Sequence, residues 1–353
     1  MVMLRDGGRY DEALAVLRRA VADHPDDHEA RHNLGMFLAG LCRLDEAERE
    51  MRVAQSIAPG VPEIEYVLAT TLLAQGKLRE GWAFYEARLA VPSSRIPVPK
   101  GFPFPRWQGQ DPAGKTIAIF PEQGFGDQIQ FARFAPLLRD RGADVTLLTR
   151  PALVRLFQDS LDGVRIVAAE GAVEFPDPDF WAMSLDVARI CDVTVETLSG
   201  EPYLRAARCW PVFPSGFTIG VQTRGNPNFA HNVRRSLTAA AADRLCSLLP
   251  GRVISLDPAE SGAADFADTA ALMRQLDLVV TTDTSVAHLA GALGKRCLVL
   301  LHGFGVDWRW MCGRADTPWY SSMTLYRAGF DDDWMPVVER AARDAAVLAA
   351  EAC

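Results

Sequence analysis

Across the first 90 residues apolar positions recur at steps of three and four, separated by short polar or glycine-bearing breaks, a pattern that predicts short amphipathic helices. Past residue 113 the period changes: short β-branched runs alternate with helical stretches, which predicts parallel strands joined by crossover helices. Strands are expected over 116–121, 144–149 and 164–168, with helices over 128–141 and 151–160. A second set comes after the break at Pro211 and Pro214. It holds strands over 217–223, 252–257, 278–283 and 296–302, helices over 239–249, 268–276 and 285–294, and a closing helix over 334–351. Between the two regimes 91–113 carries Pro92, Pro97, Pro99, Pro103, Pro105 and Pro112, a semi-rigid linker expected to press Phe102, Phe104 and Trp107 onto the α/β region. The predicted units are thus helices over 1–90, the linker over 91–113, and α/β halves over 114–210 and 211–353. Such halves in tandem place ligands between them, at the carboxyl ends of strands.

The helical region is periodic. A step of 34 residues aligns Gly8, Cys42 and Gly76, then Tyr10, Leu44 and Leu78, then Ala13, Ala47 and Gly81, then Leu17, Met51 and Tyr85. Ala20 and Pro25 align with Ala54 and Pro59. Small residues let paired helices approach, large ones fill the gap to the next pair, and each proline marks a turn. This resembles the tetratricopeptide repeat family, with about two and a half units in register. Met1 falls inside the first helix of a unit, so the natural chain is expected to start upstream or to dock its half-unit elsewhere. Such arrays present a face to a protein or peptide partner. The literal HExxH at His28, Glu29 and His32 opens a repeat helix and is read as solvated histidines, not a zinc site.

Charge and composition narrow the classes. The net charge of −8 argues against a nucleic-acid partner. The apolar stretch 278–301 is broken by Asp283, His288, Lys295 and Arg296, so it reads as strand, helix and strand rather than an integral membrane span, and the start shows no signal-peptide core. A cytoplasmic protein is expected. The seven cysteines (Cys42, Cys191, Cys209, Cys246, Cys297, Cys312 and Cys353) show no paired spacing and are expected as free thiols.

Three constellations could carry chemistry. Gly124 and Gly126 in the turn after the first strand let backbone approach a ligand, and Asp127 beside them is either a helix cap or a general base facing the crevice, with Gln128 next to it. Ile129 occupies the third glycine position of a dinucleotide fingerprint, which disfavours an NAD enzyme. The second constellation is a strand ending at Asp283 and a helix opening at once through Thr284, Ser285 and His288, whose free N–H groups suit a diphosphate. In the third, Thr223 and Arg224 lie in a turn trailed by Arg234 and Arg235, cations suited to phosphate or simply solvated. Asp177-Pro178-Asp179 is a literal DxD, read as a surface turn without metal.

Taken together, GFGDQIQFARFAPLL, IGVQTRGNPN with RRS after it, DTSVAHLAGALGKRCLVLL and VDWRWMCGRADTPWY resemble glycosyltransferase family 9, the heptosyltransferase family, over about 114–348. The resemblance implies an α/β fold of GT-B type, two Rossmann-like halves with the acceptor on the first and a nucleotide sugar on the second, here behind an all-α repeat segment. It implies that Asp127 is the catalytic base, that Asp283, Thr284, Ser285 and His288 bind donor, that Thr223, Arg224 and Arg235 lie near the diphosphate, and that Gly124, Gly126 and Gln128 lie near the acceptor. No cofactor is implied beyond the nucleotide-sugar substrate. The loop Ala230-His231-Asn232 departs from the family, where a lysine is common, and His302-Gly303-Phe304-Gly305 is unusual at the expected base pocket. The expected function is inverting, metal-independent transfer to a protein or glycan acceptor recruited by the repeats; the alternative is a non-catalytic scaffold with a degenerate donor-binding module.

Overall fold

The structure, a computed structural model, describes residues 9–92, 96–227, 232–331 and 333–352. Five helices come first: α1 (Tyr10–Asp23), α2 (His28–Gly40), α3 (Leu44–Ile57), α4 (Pro62–Ala74) and α5 (Leu78–Tyr85). The 34-residue columns map onto their packing. Ala13, Ala47 and Met51 are wholly buried, and a methyl group placed on Gly81 would lie 2.7 Å from Leu73, so the small residues set the helix spacing. His32 is half-buried rather than solvated, and burial lowers its pKa, which corrects the reading of both histidines as solvated. Gly8 and the residues before it lie outside the described residues, while the second helix of the first unit is α1, whose Tyr10 stacks on Phe304 of the second half.

Two sheets of parallel strands come next, each joined by crossover helices in the Rossmann-like manner. The first has the order β3-β2-β1-β4, from β1 (Thr116–Phe120), β2 (Asp144–Thr149), β3 (Arg165–Ala168) and β4 (Phe180–Met183). The second has the order β6-β5-β7-β8-β9, from β5 (Thr218–Gln222), β6 (Arg252–Ser255), β7 (Leu278–Thr282), β8 (Cys297–Leu301) and β9 (Met323–Arg327). Strand order reverses beside β1 in one sheet and between β5 and β7 in the other, and loops at such switch points line ligand crevices. The closing helix spans Met335–Glu351 and buries Val337, Val338 and Ala341 against the second sheet.

The pattern missed β4 with its adjoining helix α9 (Ser184–Ile190), as well as β9; the runs FWAM and MTLYR are too short to carry a period. The helix expected over 128–141 is two, α6 (Phe125–Phe131) and α7 (Phe134–Asp140). The linker packs as expected. Phe102 sits 5.4 Å from Phe120 in ring centroids, and Trp107 donates its backbone N–H to Trp181 O at 2.7 Å. Asp179 of the DxD receives the backbone N–H and hydroxyl of Thr116 at 2.8 and 3.0 Å, pinning the start of β1. Among the described residues no helix is long and apolar enough to cross a membrane.

Two cysteines depart from the expectation of free thiols. Cys42, in the turn between α2 and α3, pairs with Cys312 across 270 residues of sequence at a Cα separation of 5.8 Å, while Cys191, Cys209, Cys246 and Cys297 are unpaired. No local spacing could announce a pairing made by the fold.

Candidate functional site

The turn after β1 leads into α6 with Gly124 as its N-cap, so Asp127 sits three residues inside the helix rather than at the cap. Its Oδ2 accepts the Gly124 N–H at 2.8 Å, half of a capping box that fixes the carboxylate. Just before it Gln123 is held at φ +60, a left-handed conformation costly for a side-chain-bearing residue. Burial raises the Asp127 pKa, while the Arg309 guanidinium opposes it and Asp307 adds to it. Gln128 turns the other way: its Oε1 accepts the Thr149 hydroxyl at 2.9 Å and the Arg150 N–H at 3.1 Å, tying α6 to the end of β2.

The second half supplies the facing wall. β7 ends at Thr282, and α14 (Ser285–Ala292) opens after Asp283 with Thr284 as its N-cap. Burial and the neighbouring Asp307 push Asp283 up to about 6 against the pull of Trp310, Arg235 and Arg309. His288, one turn into α14, stacks on Trp310 with centroids 5.2 Å apart and shares a 3.0 Å hydrogen bond between Nδ1 and the Tyr320 hydroxyl. Burial, then Arg309, brings its pKa down to about 3, so the ring is neutral. A methyl group on Gly126 would lie 2.6 Å from His288 Cδ2. That contact is what the second glycine provides: α6 and α14, from opposite halves, touch where Asp127 and the Asp283 junction meet.

The basic turn is only partly gathered into this wall. The carbonyl of Thr223 accepts the Leu237 N–H at 2.9 Å, and Gly225 N donates to Ser236 Oγ at 3.1 Å, which folds the turn against α10 (Asn232–Arg235). Arg235 lies within electrostatic reach of Asp283. Arg224 is two-thirds exposed and pairs with Glu260 at 3.7 Å. Ala230 and His231 lie outside the described residues.

Sequence comparison bears on the helical segment first. Residues 4–69 match the tetratricopeptide repeat model. The match takes in α1, α2, α3 and the start of α4. Protein FlbA of Caulobacter vibrioides is 28% identical over 389 aligned residues, which take in 94% of this chain and 62% of that protein, so the chain spans less than two thirds of that relative. A glycosyl transferase of family 9 from Veillonella parvula overlays 69% of the chain and all of its own at TM-score 0.47 and 11% identity. A mutant O-GlcNAc transferase from Thermobaculum terrenum overlays 99% of the chain and 82% of its own at TM-score 0.29 and 14% identity. Both overlays are loose, and the fold stands on its own strand order.

The N-terminal helical segment is built into the site. Arg88, just past α5 and 1% exposed, forks onto Glu122 with two 2.8 Å contacts and reaches Asp186 at 3.0 Å; Glu122 in turn opens the loop to Asp127. Trp82 donates its indole N–H to Val193 O at 2.9 Å and meets Trp308 edge-on. Tyr66, raised by burial, lies within electrostatic reach of Asp307 and Arg309. Phe304 of the unusual glycine stretch stacks on Tyr10 at 5.2 Å and covers Gly40, so it is committed to the repeats. Sequence reasoning missed Arg309, which lies inside the motif VDWRWMCGRADTPWY without any spacing to mark it.

Proposed function

We propose that the chain is an inverting glycosyltransferase that uses a nucleotide sugar as donor and a protein or glycan as acceptor. The observation that carries this reading is the juxtaposition of Asp127 with the Asp283–His288 junction, a carboxylate opposite a helix N-terminus at two strand-order switch points. An acceptor hydroxyl attacks the anomeric carbon, its proton passes to the Asp127 carboxylate, the bond from that carbon to the phosphate oxygen breaks, and the nucleoside diphosphate leaves toward the N–H groups at the start of α14. Burial that raises the Asp127 pKa makes it a stronger base. Neutral His288 and the cations Arg235 and Arg224 face the donor side, and no cofactor enters the scheme. The repeats, fused to the site through Arg88 and Trp82, present the acceptor.

Asp127→Asn tests the base. Transfer should fall by about 10²–10⁴-fold while stabilisation by nucleoside diphosphate in a melting experiment is retained; a variant as active as the parent sinks the assignment. A panel of nucleotide sugars with release of nucleoside diphosphate as readout separates this reading from a scaffold, which would bind and release nothing.

A further inference from the structure

Arg309 sits in the short helical turn Trp308–Trp310, beyond β8 in the second half, and its side chain is 4% exposed. Its Nη2 meets Asp127 Oδ1 at 2.6 Å. Nε donates to Gln130 Oε1 at 2.7 Å, and Nη1 donates to both Asp307 oxygens at 3.0 Å. The planar fork is further held over Trp308, 4.5 Å from the ring centroid. One buried cation therefore spans the crevice, with α6 on one side and its own loop on the other. Left-handed residues flank the span on both sides, Gln123 at φ +60 and Met311 at φ +52, a conformation that persists only where surrounding structure enforces it.

Resting on the reading of Asp127 as base, we infer that Arg309 is a positioning residue that aims the Asp127 carboxylate and keeps it ionised across the closed crevice. Gly124 N–H holds Oδ2 and Arg309 holds Oδ1, so the carboxylate plane has one orientation. The charged groups acting on Asp127 are Arg309 and Asp307, and the neutral amides Gln123 and Gln130 complete the shell around the guanidinium. Two carboxylates compete for one cation, so Arg309 and Asp307 push the titration of Asp127 in opposite directions. A residue that merely filled the core would have no such signature.

The test is carboxyl titration of the full-length protein by NMR with labelled aspartate, the Asp127 resonance being assigned by its absence in Asp127→Asn. Arg309→Gln should move the Asp127 titration upward by about one pH unit or more, about a tenfold change in the proton affinity of the carboxylate. Arg309→Lys should move it less, because the charge survives while the fork is lost. Asp307→Asn should move it downward. An unmoved Asp127 in a folded Arg309→Gln protein overturns the inference; should that variant not fold, shifts of the same sign in Arg309→Lys and Asp307→Asn overturn it equally. Where transfer is measured, the acid limb of kcat/KM takes the same order. If the parent transfers nothing, the titration still decides the role of Arg309, so the two failures are told apart.

Discussion

At the scale of single residues the crevice is a balance of burial against charge. His288 is held neutral, its pKa displaced from 6.5 to about 3, whereas Asp283 is displaced from 3.8 to about 6. The two act oppositely on stability. On acidification below 6.5 the unfolded chain takes up a proton at His288 that the folded ring refuses, so stability falls; below about 6 the folded Asp283 takes up a proton earlier than the unfolded chain, so stability rises. Between about pH 7 and about pH 5 His288 therefore contributes a loss of stability and Asp283 a gain. His288→Gln should remove that loss and Asp283→Asn that gain, read as melting temperatures at the two pH values. Both residues stood out in the sequence because a strand ended and a helix began at once. The direction of their titration did not, since it depends on Asp307 and Arg309 arriving from another loop.

At the scale of elements, the repeat turn shows why one column of the 34-residue period departs from glycine. Gly76 adopts φ +82 in its turn, and Cys42 occupies the equivalent turn at φ +55. A side chain in that conformation costs about 1–2 kcal/mol, so the thiol there has a contact to compensate it, the pairing with Cys312. Cys42→Gly should therefore fold, abolish the crosslinked Cys42–Cys312 peptide in a non-reduced digest, and melt at or above the parent once reductant is present; a parent digest without that peptide refutes the pairing. Element boundaries were legible where period and punctuation agreed, as over 144–149 and 151–160. They failed for β4 and β9, whose identity comes from neighbours in the sheet rather than from their own four or five residues.

At the scale of the molecule, the repeats and the first half share a buried ionic cluster. Arg88, Glu122 and Asp186 have side chains 1%, 0% and 0% exposed, and removing the cation would leave two carboxylates in the interior, Asp186 still near Arg106 and Arg189 but Glu122 with no other cation among its ion pairs in the described residues. Arg88→Met should cost about 3–5 kcal/mol in denaturant unfolding, far beyond a surface arginine such as Arg19. An equal cost for the two positions would show that the repeats are merely tethered. The sequence predicted a linker pressed onto the α/β region. The ionic tie just before it was not legible, because Arg88 looks like one more polar residue near the end of an amphipathic run, its partners 34 and 98 positions away.

The seat of Phe304 has a consequence in time. Tyr10, Phe37 and Gly40 form its receiving surface, and a ribosome delivers them roughly 260 to 290 residues before the ring that covers them. At about 5–20 residues per second that is some tens of seconds during which the newborn repeats display an uncovered aromatic surface. Nascent chains stalled short of Phe304 should accordingly be captured by chaperones that recognise apolar surface, and release should coincide with the emergence of this segment.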